Sequence, residues 1–313
     1  MSGAAQPSPI GAAWRDIRTV TRFELIESLR TRRVVLSILL FLACGAVWAW
    51  GFARLVDQAE RAAAEVLAAP ATQKAGASLD RLRRTPMYRE IVKSVVDDPE
   101  AATSLEALPP LVVVFAWLAM SFAPFLILFC SSGAIADEVG SRGVRYSLLR
   151  TGRTEYVLGK FCGQLLLLAV AVGLSGIAFL VVSWFLLVNL PVGETVLGMV
   201  RFWPYVVLHA LPYLALAFLA SMLARGWIGA CVYAALGMIG LWIVHLLARW
   251  EWLRHGPIVS ALLDLADYAT PSTLGYGVLA PLGGTFLRSA ALCLWLTALY
   301  LGSGLALFQR RDL

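Results

Sequence analysis

The chain has 313 residues, 59% of them hydrophobic and 15% charged, and its mean hydropathy is +0.75. Soluble domains carry about 45–50% apolar and about 25% charged residues, so this composition excludes a soluble enzyme and requires the apolar excess to face lipid. The net charge of +6 is then a matter of membrane topology, and nucleic acid is not expected as a partner.

Residues 13–33 are good helix formers rich in arginine. Their apolar ladder of Ile17, Val20, Phe23, Ile26 and Leu29 steps by three, which drifts about 60° per step around a helix of 3.6 residues per turn. No clean apolar face results, and the expectation is a helix over residues 1–33 lying at the cytoplasmic interface with Arg side chains among lipid headgroups. A solvated basic tail is the alternative. The apolar run begins at Val34, too far from Met1 for a cleaved signal peptide.

Six apolar runs follow, uncharged except for Arg288 near the start of the last, that are long enough to cross about 30 Å of hydrocarbon as helix: residues 34–52, 111–132, 163–188, 204–224, 226–247 and 287–308. The predicted fold is all-α, a single polytopic membrane domain of six spans. Between the first two spans, residues 53–110 form an insertion that reads as helical: residues 59–69 are Ala-rich, and Asp98-Pro99-Glu100 has the order that starts a helix. Pro109-Pro110 stops that helix. The insertion would be a gate, a docking cap or a spacer.

Residues 133–162 form a polar loop, and residues 248–286 form a Pro- and Gly-broken segment with a short helix candidate at 257–267. That segment reads as re-entrant or interfacial, or as an ordinary surface loop, because irregular backbone at membrane depth needs shielding by protein. Lys and Arg in short loops stay on the cytoplasmic side. The N-terminal tail, the 133–162 loop (Arg142, Arg145, Arg150, Arg153, Lys160) and the C-terminus (Arg310, Arg311) all carry them, whereas residues 53–110 balance eight basic against nine acidic residues. The predicted orientation is therefore N-in and C-in.

Little in the spans suggests chemistry. Ionisable groups inside a bilayer mark proton relays and ion paths, and here only His209 and His245 are candidates, each more commonly an interhelical hydrogen-bond partner. A His-Glu-x-x-His metalloprotease helix is absent, and nothing singles out Ser175, Ser183 or Ser221 as a nucleophile. The five cysteines lie in or beside spans without metal spacing. Gly159 and Gly163 make a GxxxG at the start of the third span, which implies close helix packing within one chain or between two.

The loop Ile135-Ala-Asp-Glu-Val-Gly-Ser-Arg-Gly-Val-Arg-Tyr-Ser-Leu-Leu-Arg-Thr-Gly-Arg continues to Gly159-Lys160-Phe161. It is not a phosphate-binding loop: six residues separate Gly152 from Gly159 where four are needed, and Phe161 replaces the magnesium-holding Ser or Thr. A short helix, 144–149, exposes apolar groups in an otherwise polar loop, which suggests burial against something.

The order acid pair, Gly, Tyr-x-Leu-Leu, Arg-Thr-x-Arg, aromatic, Leu-Gly-Lys, set between the second and third of six spans, resembles the cytoplasmic coupling region of ABC-2 type transporter permeases. The resemblance implies that Glu138, Gly143, Tyr146, Leu148, Leu149, Arg150, Arg153, Gly159 and Lys160 occupy the motif positions of a loop that docks on a separate ABC ATP-binding subunit. It departs from the usual pattern at Gly143-Val144, spaced about one residue longer, and at Thr151, where Pro often stands. The family implies a permease of an ATP-driven exporter in a bacterial plasma membrane, paired with a second permease copy, non-catalytic itself, holding no cofactor, with ATP and magnesium in the partner. The alternatives are a membrane-embedded enzyme using His209 or His245 and a non-transporting assembly factor.

Overall fold

In hydrocarbon every backbone polar group must be satisfied within the protein, and a helix does this alone. The computed structural model describes residues 9–30, 32–66, 86–95, 99–106, 108–187, 190–248, 259–261, 263, 279–280 and 283–311, and no strand occurs among the described residues. The chain begins with α1 (Pro9–Arg30) and α2 (Arg32–Val66). Two short helices of the insertion, α3 (Pro86–Val95) and α4 (Pro99–Glu106), precede α5 (Pro110–Ser131), α6 (Gly133–Gly140) and α7 (Val144–Leu148). Then come α8 (Arg153–Leu186), α9 (Val192–Leu223), α10 (Trp227–Ala248) and α11 (Gly284–Gln309).

Six helical segments are long and apolar enough to cross a membrane: residues 34–58, Pro110–Gly140, Arg153–Leu186, Val192–Leu223, Trp227–Ala248 and Gly284–Gln309. Three of the helices far outrun their apolar runs, and the first, α2, continues past Phe52 to Val66. At 1.5 Å per residue, the 34 residues of α8 span about 51 Å, well beyond about 30 Å of hydrocarbon. The helix starts ten residues before the expected span at Gly163, and α9 starts at Val192 rather than at Pro204. A polar helical extension satisfies its backbone as well as an apolar one does, so polarity marks where lipid ends and not where the helix ends.

The centre of the bundle is α9, which packs against α5, α8, α10 and α11, while α2 and α1 pack on α8. Val206, Ala210, Leu214, Ala215, Ala217 and Phe218 of α9 are buried. By contrast, α10 buries only Ala230, Ala234 and Ala248, and Ile228, Leu236, Ile239 and Trp242 are exposed, as lipid-facing residues are. In the insertion, Pro99 is the first residue of α4 and Pro110 the first of α5; both sites suit a residue without an N–H. Of the predicted short helix 257–267, residues 259–261 and 263 are described and helical, and the rest of it, with most of 248–286, lies outside the described residues.

The ladder on α1 does not turn inward as a unit. Ile17 and Val20 are half-buried, but Phe23, Ile26 and Leu29 are exposed, and Glu24 and Ser28 take the buried positions. That choice is made by the face of α8 that α1 meets.

The interior proline Pro124 of α5 has no N–H for the carbonyl of Met120, four residues back. His209, buried on α9, hydrogen-bonds the Met120 backbone, filling the place that the proline leaves open.

Candidate partner-docking loop and its ionic anchor

The 133–162 loop is built from α6, a tight reversal, α7 and the first turns of α8. The reversal turns on Arg142, at φ 61°, a left-handed conformation that is uncommon for a residue with a long side chain. Gly143, the next residue, is right-handed at φ −62° and caps α7. Beyond α7, Gly152 is extended and opens α8, where Glu155 lies in the first turn, a favourable place for a negative charge against the helix dipole.

Beneath the loop lies a buried ionic cluster. Lys160 Nζ is 2.6 Å from Glu24 Oε2 of α1 and 2.6 Å from Glu138 Oε1 of α6. The side chains of Lys160 and Glu24 are each 6% exposed. Tyr156 donates its hydroxyl to Glu138 Oε2 at 2.6 Å, and Gln164 donates to Glu24 Oε1 at 2.7 Å. These partners matter, because a buried charge pair survives desolvation only when its remaining lone pairs and protons are also satisfied.

The GxxxG explains how α1 comes so close. A Cβ on Gly159 would lie 2.6 Å from Val20 and 3.0 Å from the Ile17 carbonyl, and one on Gly163 would lie 2.8 Å from Glu24. Thr21 also donates to the Gly159 carbonyl at 3.0 Å. The small residues therefore serve packing within the chain.

Carboxylate oxygens of Glu24, Glu27 and Glu138 lie within 4.8 Å of one another, a spacing a metal ion could use. The Lys160 ammonium already sits against two of the three and supplies the positive charge there. Glu27, at the rim, has its carboxyl raised above the usual value of 4.5, first by desolvation and then by Glu138 and Glu24, against the lowering effect of Lys160.

A second set of bonds ties helix ends together. Arg153 Nη1 donates to the carbonyls of Phe308, Gln309 and Arg311 at 2.8, 2.7 and 3.1 Å. Arg311 Nη1 donates to those of Met222 and Ala224 at 2.7 and 2.9 Å. Ser221 Oγ accepts from the Ile135 and Ala136 amides, each at 2.9 Å.

The motif residues thus divide. Tyr146 and Leu149 are 76% and 82% exposed, and Arg150 is exposed beside them, while Gly143 and Leu148 are half-buried and Leu148 packs on the core. Glu138, Arg153, Gly159 and Lys160 point their chemistry inward, into the contacts above. Sequence reasoning missed Glu24, Tyr156, Gln164, Ser221 and Arg311. A lysine and a glutamine four residues apart at the head of an apolar run were the available signal that a partner charge must exist.

The family pattern described as "ABC-2 family transporter protein" matches residues 18–313, which takes in α1 from Arg18, the ionic anchor, the docking loop and all six candidate spans. The chain belongs to the ABC-2 transporter family. It is therefore a multi-pass membrane permease, and the ABC-2 match covers α1 and the insertion as well as the spans. No curated protein matches the chain.

Proposed function

We propose that this chain is the permease subunit of an ATP-driven exporter, oriented with both ends in the cytoplasm of a bacterial plasma membrane. It works with a second permease copy and with a separate ABC ATP-binding subunit that holds ATP and magnesium. The observation that carries the reading is the tip of the loop. Tyr146 and Leu149 stand exposed together, flanked by the exposed Arg142, Arg145 and Arg150, on a support that a buried ionic cluster holds to α1 and α8. Apolar groups presented on a polar surface mark a docking site, and the arginines around them call for an apolar slot with an acidic rim on the partner. Membrane lipid covers the outward faces of the spans, and the chain itself performs no catalysis.

The test is a mild-detergent pull-down of the tagged chain followed by mass spectrometry. An ATP-binding protein recovered at near-equal stoichiometry, and lost from a Tyr146→Asp/Leu149→Asp variant that still folds, supports the reading. A well-folded chain that retains no such protein overturns it.

A further inference from the structure

The hydrogen bonds at the loop end of the bundle form a closed circuit. From α6, the Ile135 and Ala136 amides reach Ser221 on α9. The neighbouring carbonyls of Met222 and Ala224 receive Arg311, which follows α11. The carbonyls that end α11, those of Phe308 and Gln309, receive Arg153 at the start of α8. One turn into α8, Tyr156 stacks on Phe308 at 6.5 Å and donates to Glu138, back on α6.

The last four carbonyls of any helix have no partner within it, and water ordinarily satisfies them. Here two such ends, those of α9 and α11, are each bridged by a guanidinium from another element, with the charge placed to suit the negative end of the helix dipole. Bridged ends cannot move apart without leaving carbonyls and a cation unpaired.

We propose that this circuit makes the loop ends of α6, α8, α9 and α11 one mechanical body, with Arg153 and Arg311 as its positioning residues. A displacement applied at α7 then reaches α9 and α11 directly. Arg153 acts inside the chain, through α11, and not as a docking residue. The purpose of the device rests on the permease reading, but its existence does not, and its test uses the chain alone.

The experiment is amide hydrogen exchange on the full chain in detergent. Ser221→Ala calibrates it, since both the Ile135 and Ala136 amides lose their acceptor and exchange faster. Arg153→Gln and Arg311→Gln, whose hydrogen bonds go to the ends of α11 and α9, are each expected to speed exchange at Ile135 and Ala136 at least tenfold, with Ala49 and Ala53 of α2 unchanged. Faster exchange confined to the end of α11 for Arg153→Gln and to the end of α9 for Arg311→Gln overturns the proposal. Should either variant fail to fold, Arg153→Lys and Arg311→Lys keep the charge but not the bridging fork and carry the same two outcomes. Failure of an ATPase to bind leaves these readings untouched, so the two proposals fail separately.

Discussion

Lys160 on α8 and Glu24 on α1 meet at 2.6 Å with both side chains 6% exposed, and that contact is the charged part of the seam that holds the N-terminal helix on the bundle. Removing the ammonium leaves the buried Glu24 and the half-buried Glu138 facing each other with no cation between them. Lys160→Met should therefore cost about 3–5 kcal/mol, the range for breaking a buried pair by deleting one partner. A triple change, Lys160→Met with Glu24→Leu and Glu138→Gln, should recover most of the loss, because an apolar replacement of a buried ion cluster is close to neutral. Thermal unfolding in detergent measures both, and a triple variant no more stable than the single one would mean that the cluster acts otherwise than through its charges.

The pH response of this region should run through Glu27. Its carboxyl is raised above 4.5 by desolvation, with Glu138 and Glu24 adding to the effect and Lys160 opposing it. A raised acid favours the protonated form in the fold, so its stabilising contribution is present in acid and is lost as pH climbs through the raised value. Glu27→Gln mimics the protonated state. It should leave the melting temperature unchanged near pH 4 and raise it modestly at pH 7, an effect kept small by exposure of the side chain to solvent. An equal rise at both pH values would show that charge is not the cause.

Much of the architecture could be read in the residues, for a physical reason. Long apolar runs have one stable form in lipid, so the six spans, the proline-started α4 and the short loop helix were all accessible, whereas Pro110, read as a stop, is the first residue of α5. The anchor was not. Glu24 and Lys160 are 136 residues apart, and nothing local tells a buried acid on an Arg-rich helix from a solvated one. The contacts of Arg153 were hidden for a related reason, since its acceptors are the backbone carbonyls of Phe308, Gln309 and Arg311, which no sequence pattern displays. Pro204 was read as a boundary, yet it lies inside α9, because a buried central helix tolerates a break in its ladder that neighbouring groups can offset.

The reversal at Arg142 carries backbone strain. A left-handed conformation costs an ordinary residue about 1–2 kcal/mol, whereas glycine adopts it freely at an entropic penalty of about 0.5–1 kcal/mol. Arg142→Gly should thus stabilise the isolated chain by about 0.5–1 kcal/mol while removing one cation from the docking rim. A calorimetric gain together with weaker ATPase recovery would assign the arginine to binding at the expense of stability. Loss of stability would instead show that its side chain holds the turn.

The link between His209 and Pro124 makes the most discriminating prediction, because it separates packing from catalysis at a histidine buried in the bundle. His209 hydrogen-bonds the Met120 backbone, whose carbonyl lacks a helical donor because Pro124 has no N–H. Deleting the imidazole should leave that carbonyl buried and unsatisfied, at a cost of about 1–3 kcal/mol. In a Pro124→Ala background the helix supplies its own N–H, and His209→Ala should then cost clearly less. The two changes are therefore expected to be non-additive in a double-mutant cycle measured by unfolding, as groups sharing one acceptor are. Strict additivity would remove the shared-carbonyl explanation and return His209 to consideration as a functional group, since its Nδ1 has no hydrogen-bond partner.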